Sequence, residues 1–526
     1  MENKKTKIIS IVAIVALALT VVTATYAYFQ AQTGEGSQTD IKINANTVDT
    51  FTFATGNPIT FTLDQDSFAS GKGNQSGSTF ASALLTANNK TNTATEHYYL
   101  YLNISDNTFT YSINESTPEI IMTVTDSGGN EVIDISTLNH VIVTGANNTQ
   151  VSGYDITNKN GLITLFNNRE ITTTSSKEEK WNIKVTFVNY DASQNANAGK
   201  SMSAKVMIQK EIIPQVVSDV CESGTNLATC IKTLANKSAS SLTKIYHHDA
   251  NLTNGAGDNS YRYAGASENV DNFVCFGTNT STCPTDNLYR IIGVFGDQVK
   301  LIKYDYANSN LLGTDGDYNS TNTYSKSSYS TYKGELTTIN RYSWNSSTKK
   351  NTWSESNLNK VNLNKNFITK IGADWAAKIA ETTWKVGGNT WANIGTQPAK
   401  TAYQNEIVSP VTTNTTDGKT ECSAKIGLMY ASDYGFAAAQ SAWTANLNTY
   451  NGEAIKNVNW MYMGLYEWII SRSADHASSV FGVYSAGNVH DDDAAHAFGV
   501  RTVFYLSSSV TYVEGDGTQN SPIRIN

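Results

Sequence analysis

A chain of 526 residues is too long for a single hydrophobic core and should divide into two or three domains. Charged residues make up only 16% and the formal net charge is −8, with no basic stripe to neutralise phosphates, which sets nucleic acid aside as a partner. Abundant Asn, Ser, Thr and Gly beside so few charges give the profile of an exported, β-rich protein.

Lys4, Lys5 and Lys7 precede an apolar run from Ile8 to Val22, the charged and apolar regions of an export signal. Thr25-Tyr26-Ala27 offers a small-residue cleavage site, whereas the same run continued to Phe29 is long enough to span a bilayer. Residues 1–29 are therefore a cleaved signal peptide or a retained single-pass anchor, and both place the chain outside the cell or on its surface. The sequence Ala24-Thr25-Tyr26-Ala27-Tyr28-Phe29 resembles the leader of the TasA/camelysin family, extracellular β-sandwich proteins that build matrix fibres or coat the cell. No zinc activity follows from that resemblance, because no HExxH motif occurs.

From residue 30 to residue 210 the chain alternates apolar and polar residues with period two. Ile59, Phe61 and Leu63 form one such face, as do Tyr98, Leu100, Leu102 and Ile104, then Trp181, Ile183, Val185 and Phe187, then Met202, Ala204, Val206 and Ile208. Strands with one packed and one wet face, separated by turns such as Gly128-Gly129-Asn130, predict an all-β sandwich. Over 211–242 the spacing changes: Leu227, Ile231 and Leu234 recur at helical intervals around Cys230, which predicts a helical connector. Cysteines fall as two close pairs, Cys221 with Cys230 and Cys275 with Cys283, plus a lone Cys422. Local disulfides fit an exported chain. A zinc site is the competing reading, but zinc pairs are usually tighter, and only His247 and His248 are near.

The remainder, 243–526, mixes strands and helices. Leu288–Phe295 and Val299–Ile302 flank Gly296-Asp297 and predict a tight hairpin of central strands. Residues 308–350 carry little apolar periodicity and read as a long surface excursion. Phe367, Ile371, Trp375 and Ile379 recur every four residues on one helix, and Ser432 is placed to cap another. The segments YRIIGVF (289–295), KIGLMYASDYG (425–435) and FGVR (498–501), with Tyr466-Glu467-Trp468 and Asp516-Gly517-Thr518, resemble a C-terminal domain of gut bacterial surface proteins. That resemblance implies an α+β C-type-lectin-like fold of the formylglycine-generating-enzyme type, and the expectation for the whole chain is a ligand-binding adhesin or receptor that the sandwich displays. Its partner would be a surface protein or a glycan.

Enzymatic chemistry has no anchor here. The reactive cysteine pair of formylglycine-generating enzymes is not matched, and no GxSxG elbow, Walker loop or dinucleotide fingerprint occurs, so neither catalysis nor a cofactor is expected. His490-Asp491-Asp492-Asp493 with His496 invites a metal, yet the run lacks the alternating ligands and Gly of a calcium loop and reads as a solvated acidic loop. The window 475–500 contains no Lys, Glu, Gln, Met or Trp, and each of its residues is reachable by changing the adenines of an AAC or AAT codon. It resembles in this the targets of diversity-generating retroelements. The expected ligand face is a loop holding Asp475, His476, Phe481, Tyr484, Asn488, His490, Asp491, Asp492, Asp493 and His496. A structural subunit of a fibre or biofilm matrix is the alternative.

Overall fold

The computed structural model describes residues 49–63, 73–88, 93–135, 138–410 and 419–526, and divides the chain into two compact units, Met1–Ile212 and Ile213–Asn526. The leader, residues 1–29, lies outside the described residues. Among those described, no helix is long and apolar enough to cross a membrane. The protein is β-rich and built from several sheets in more than one unit.

In the first unit a six-stranded sheet runs Thr50–Thr55, Gln75–Thr86, Ser176–Phe187, Ile120–Thr125, Gln150–Asp155 and His140–Thr144 from edge to edge. A four-stranded sheet runs Ile59–Thr62, Ser201–Gln209, Ala94–Asn107 and Gly161–Thr173. All neighbours are antiparallel. The alternation seen in the sequence is what the two sheets bury against each other: Trp181, Ile183, Val185 and Phe187 from one, Leu100, Leu102, Ile104, Met202 and Ala204 from the other. Tyr101 is also buried, against strict alternation, because register shifts beside Leu100 turn the strand locally. The buried Glu119 carboxylate fastens the loops at one end, accepting from the Gln194 and Asn197 side-chain amides at 2.8 and 2.9 Å.

The helix predicted as a connector belongs to the second unit. Asn226 caps Leu227–Lys237, its side chain accepting from the Thr229 N–H at 2.9 Å. Leu227, Cys230, Ile231 and Leu234 enter one core with Ile245, Ile291 and Val299. Disulfides join Cys221 to Cys230 and Cys275 to Cys283, with Cα separations of 5.3 and 5.8 Å. Cys422 is a free, half-buried thiol. Just before the helix the chain pairs with residues far along the sequence: Tyr512 N–H donates to Thr225 at 2.8 Å and Gly224 N–H to Tyr512 at 2.8 Å.

A seven-stranded sheet organises this unit, in the order Ile245–His247, Tyr261–Tyr263, Leu288–Phe295, Gln298–Lys303, Val503–Tyr505 and Ile426–Gly427, with Phe273–Cys275 also paired to Leu288–Phe295. Gly296 and Asp297 close the predicted hairpin, Gly296 at φ +57, a left-handed conformation that glycine adopts without strain. The 308–350 segment is only in part a surface excursion. Strands Tyr318–Ser325 and Thr338–Ser343 pair, the second also pairs with Ala497–Phe498, and Tyr324, Ile339, Tyr342 and Trp344 are buried. Burial there comes from widely spaced aromatics, which leave no apolar period to read. The 367–379 stripe faces the core as predicted, but its helix breaks at Gly372 (φ +84). Tyr430, not Ser432, occupies the N-cap of Ala431–Phe436. The Asp433 carboxylate turns back to accept the Tyr430 N–H at 3.0 Å.

Candidate ligand-binding face

The 475–500 window is a meander rather than a loop, which corrects the sequence expectation. Gly388–Asn389, Glu467–Ser473, Ser479–Val483 and Val489–Asp493 form a four-stranded sheet with the last strand at its edge. Phe481 is therefore not a contact residue: it lies fully buried between Val480 and Gly482 in an interior strand whose neighbour, Glu467–Ser473, is buried on both faces. A short apolar run is how such a strand looks in sequence, and it has no period.

The other predicted residues gather around the edge strand. By strand alternation His490 and Asp492 share one face. The His490 ring lies 4.0 Å from the Trp391 ring and 5.1 Å from Tyr484. Tyr484 is half-buried; its hydroxyl donates to the Asp492 carboxylate and the Asp491 carbonyl, both at 3.1 Å. His496 Nδ1 meets Asp492 Oδ1 at 2.5 Å, and His490 Nδ1 lies 3.3 Å from the Asp491 carboxylate. Asp493 turns inward on its own turn, accepting the Ala495 N–H at 2.8 Å. Asn488 contributes its carbonyl to the hairpin, accepting the Tyr484 N–H at 2.8 Å. His476 is exposed beside Asp475, which accepts from the Ser473 hydroxyl at 2.6 Å. Burial alone would raise the Asp475 carboxyl, but hydrogen bonds from Ser473 and the Trp391 backbone hold it below the usual range.

Sequence reasoning missed Trp391. It is 36% exposed and opens the helix Trp391–Thr396, where Thr390 accepts the Asn393 N–H at 3.1 Å. The Thr-Trp-Ala-Asn run was a readable helix start. Tyr466, singled out in the sequence only within the motif Tyr466-Glu467-Trp468, extends the aromatic surface with its ring 4.9 Å from Tyr484.

One buried ion pair ties this sheet to Arg501, and another joins the helix Ala431–Phe436 to the seven-stranded sheet. Glu467 accepts from Arg501 at 2.7 and 2.9 Å, and Arg501 also donates to the Met461 carbonyl at 2.8 Å. Burial would lower the Arg501 pKa, but the Glu467 carboxylate outweighs it and keeps the guanidinium charged. Asp433 takes Lys300 at 2.5 Å and Arg262 at 3.5 Å. Glu406 pairs with no cation among the described residues. It accepts the Ala431 and Ser432 N–H groups at 3.1 and 3.2 Å and the Ser471 hydroxyl, and burial pushes its carboxyl up to about 7.

A separate hollow of about 440 Å³ is lined by Asn359, Lys360, Glu381, Cys422 and Lys425, among others. Burial raises the Cys422 thiol, the opposite of what an activated nucleophile requires. Among the described residues, no group of three His, Cys, Asp or Glu is placed to hold a metal ion. No family model, curated protein or solved structure matches the chain.

Proposed function

We propose that this is a secreted or membrane-tethered surface protein whose second unit is a C-type-lectin-like ligand-binding module displayed by the first. The observation that carries this reading is the partly exposed Trp391 indole against His490, continued by Tyr484 and Tyr466 on a sheet anchored by a buried ion pair. Rigid aromatic side chains give contact area at low entropic cost, and a scaffold that does not move keeps them in place. Binding of the full chain to glycan and surface-protein arrays should be lost in Trp391→Ala combined with Tyr484→Ala, with the melting temperature retained. Binding that survives both changes would remove the face. Sequencing the gene in sibling strains tests whether the meander is diversified: substitutions should concentrate at adenine positions encoding exposed residues such as His476 and His496, while Phe481 stays apolar.

A fibre or matrix subunit is the second reading, favoured by the edge strand His140–Thr144, on which Ile142 is 67% exposed, and by Ile133 at 68%. An exposed apolar edge is a template for strand pairing. In that case the protein should form filaments visible by negative-stain microscopy, and Ile142→Lys should abolish them.

A further inference from the structure

The face has a sign. No Lys or Arg occurs between Asp475 and Val500, and the two arginines that bracket the window, Arg472 and Arg501, are buried. Arg501 is committed to Glu467, and Arg472 reaches the Lys419 carbonyl. The carboxylates behave differently. Asp475 and Asp492, one on the Trp391 side and one under Tyr484, keep 33% and 23% of their side chains in water. Each carboxylate offers about four acceptor positions, so their internal hydrogen bonds leave capacity for an incoming donor. Between them stand the rings of Trp391, His490 and Tyr484, and an indole or phenol face within about 6 Å of a cation attracts it through the ring quadrupole.

The same rim already shows this contact internally. Tyr324, whose ring lies 6.4 Å from Tyr466, carries the Arg341 guanidinium 4.4 Å above it, while Arg341 also donates to the Ala497 carbonyl at 2.5 Å. Arg341 is thereby held in place, and the outer rings are left to a cation from elsewhere.

We propose that the Trp391–His490–Tyr484 face binds an arginine- or lysine-bearing segment of a partner protein, with the cation stacked on the rings and hydrogen-bonded by Asp475 and Asp492. This rests on the reading of the face as a binding surface and adds the chemistry of what it takes. An anionic glycan or peptide would meet like charge there. A neutral sugar would use the indole but gain little from the two carboxylates.

Fluorescence anisotropy with three labelled peptides of equal length, built on Arg-Gly-Ser, Gln-Gly-Ser and Glu-Gly-Ser repeats, tests this at low salt and at about 0.15 M salt. Only the arginine peptide should bind, and more weakly at the higher salt. Trp391→Ala and Asp492→Asn should each weaken it about tenfold without moving the melting temperature. If Asp492→Asn melts early, Asp475→Asn takes its place. Equal binding of the arginine and glutamine peptides would overturn the proposal. So would arginine-peptide binding unchanged in the variants, which would reflect only the net charge of −8. If no peptide binds but a neutral oligosaccharide does, and Trp391→Ala abolishes it, the cationic ligand is wrong and the binding face stands. If Trp391→Ala changes the binding of no probe, both fall.

Discussion

Replacing Glu406 by Gln should flatten the pH dependence of stability of the second unit. Burial is the main reason this carboxyl sits at about 7 instead of 4.5, helped by the neighbouring Asp433 charge and opposed by hydrogen bonds from Ser471 and Ser432. That displacement is worth about 3 kcal/mol between the two protonation states. The folded unit holds the proton more tightly than the unfolded chain does. The contribution is therefore complete below pH 4.5, declines as pH rises, and is gone above about 7. The Gln side chain does not titrate, but its amide nitrogen must face one of the two backbone N–H groups that Glu406 now accepts, which costs about 1 kcal/mol at every pH. The variant should thus be less stable than the wild type near pH 4.5 and more stable near pH 8. Urea unfolding followed by tryptophan fluorescence reads this unit almost alone, since of nine tryptophans only Trp181 lies in the first. Two stability curves that run parallel from about pH 4.5 to 8 would refute the reasoning, because other titrating groups contribute equally to both proteins.

Phe481→Ala, a core truncation, should cost about 3 to 5 kcal/mol in urea unfolding of the same unit, whereas a surface change would cost about 0.5. Arg501→Gln leaves Glu467 buried without its cation and should cost about 3 to 5 kcal/mol, with Arg501→Lys recovering only part. Unfolding without reductant should expose one reactive thiol per chain, Cys422, measured by maleimide labelling and intact mass; three or more would mean that a disulfide is absent. Cys275→Ser with Cys283→Ser should lower the stability of the second unit by about 2 to 4 kcal/mol.

The parts of the fold that could be read in advance were those with local causes. Period-two faces such as Trp181 to Phe187 named strands because one side of each meets a core, and Gly296-Asp297 named a hairpin because few residues other than glycine tolerate that turn. The cysteine pairs were legible from their close spacing. What escaped was set by distant partners. Tyr324, Tyr342 and Trp344 lie in a polar stretch and become core only because distant residues reach them: Met463 and Leu465 for Tyr324, Phe498 for Tyr342 and the Ile469 carbonyl for Trp344. Within the candidate face, nine of the ten named positions lie at or near the surface, but the hairpin that orders them was hidden by small residues, and Phe481 was misplaced for the same reason. Trp391 was missed because nothing in a linear window links it to His490, 99 positions later.

The pairing of residues 224–225 with Tyr512 has a consequence for how this unit comes into being. A ribosome delivers the chain from one end, and the strand Val503–Tyr505, which sits inside the large sheet between Gln298–Lys303 and Ile426–Gly427, is among the last pieces to emerge. Until it arrives, Gln298–Lys303 is an open edge and Ile426–Gly427 has no strand to pair with. The unit must therefore remain unfinished through nearly the whole of its own synthesis. It also means that a ribosome halted shortly before Val503 releases a product whose Gln298–Lys303 edge is unpaired, open to proteolysis.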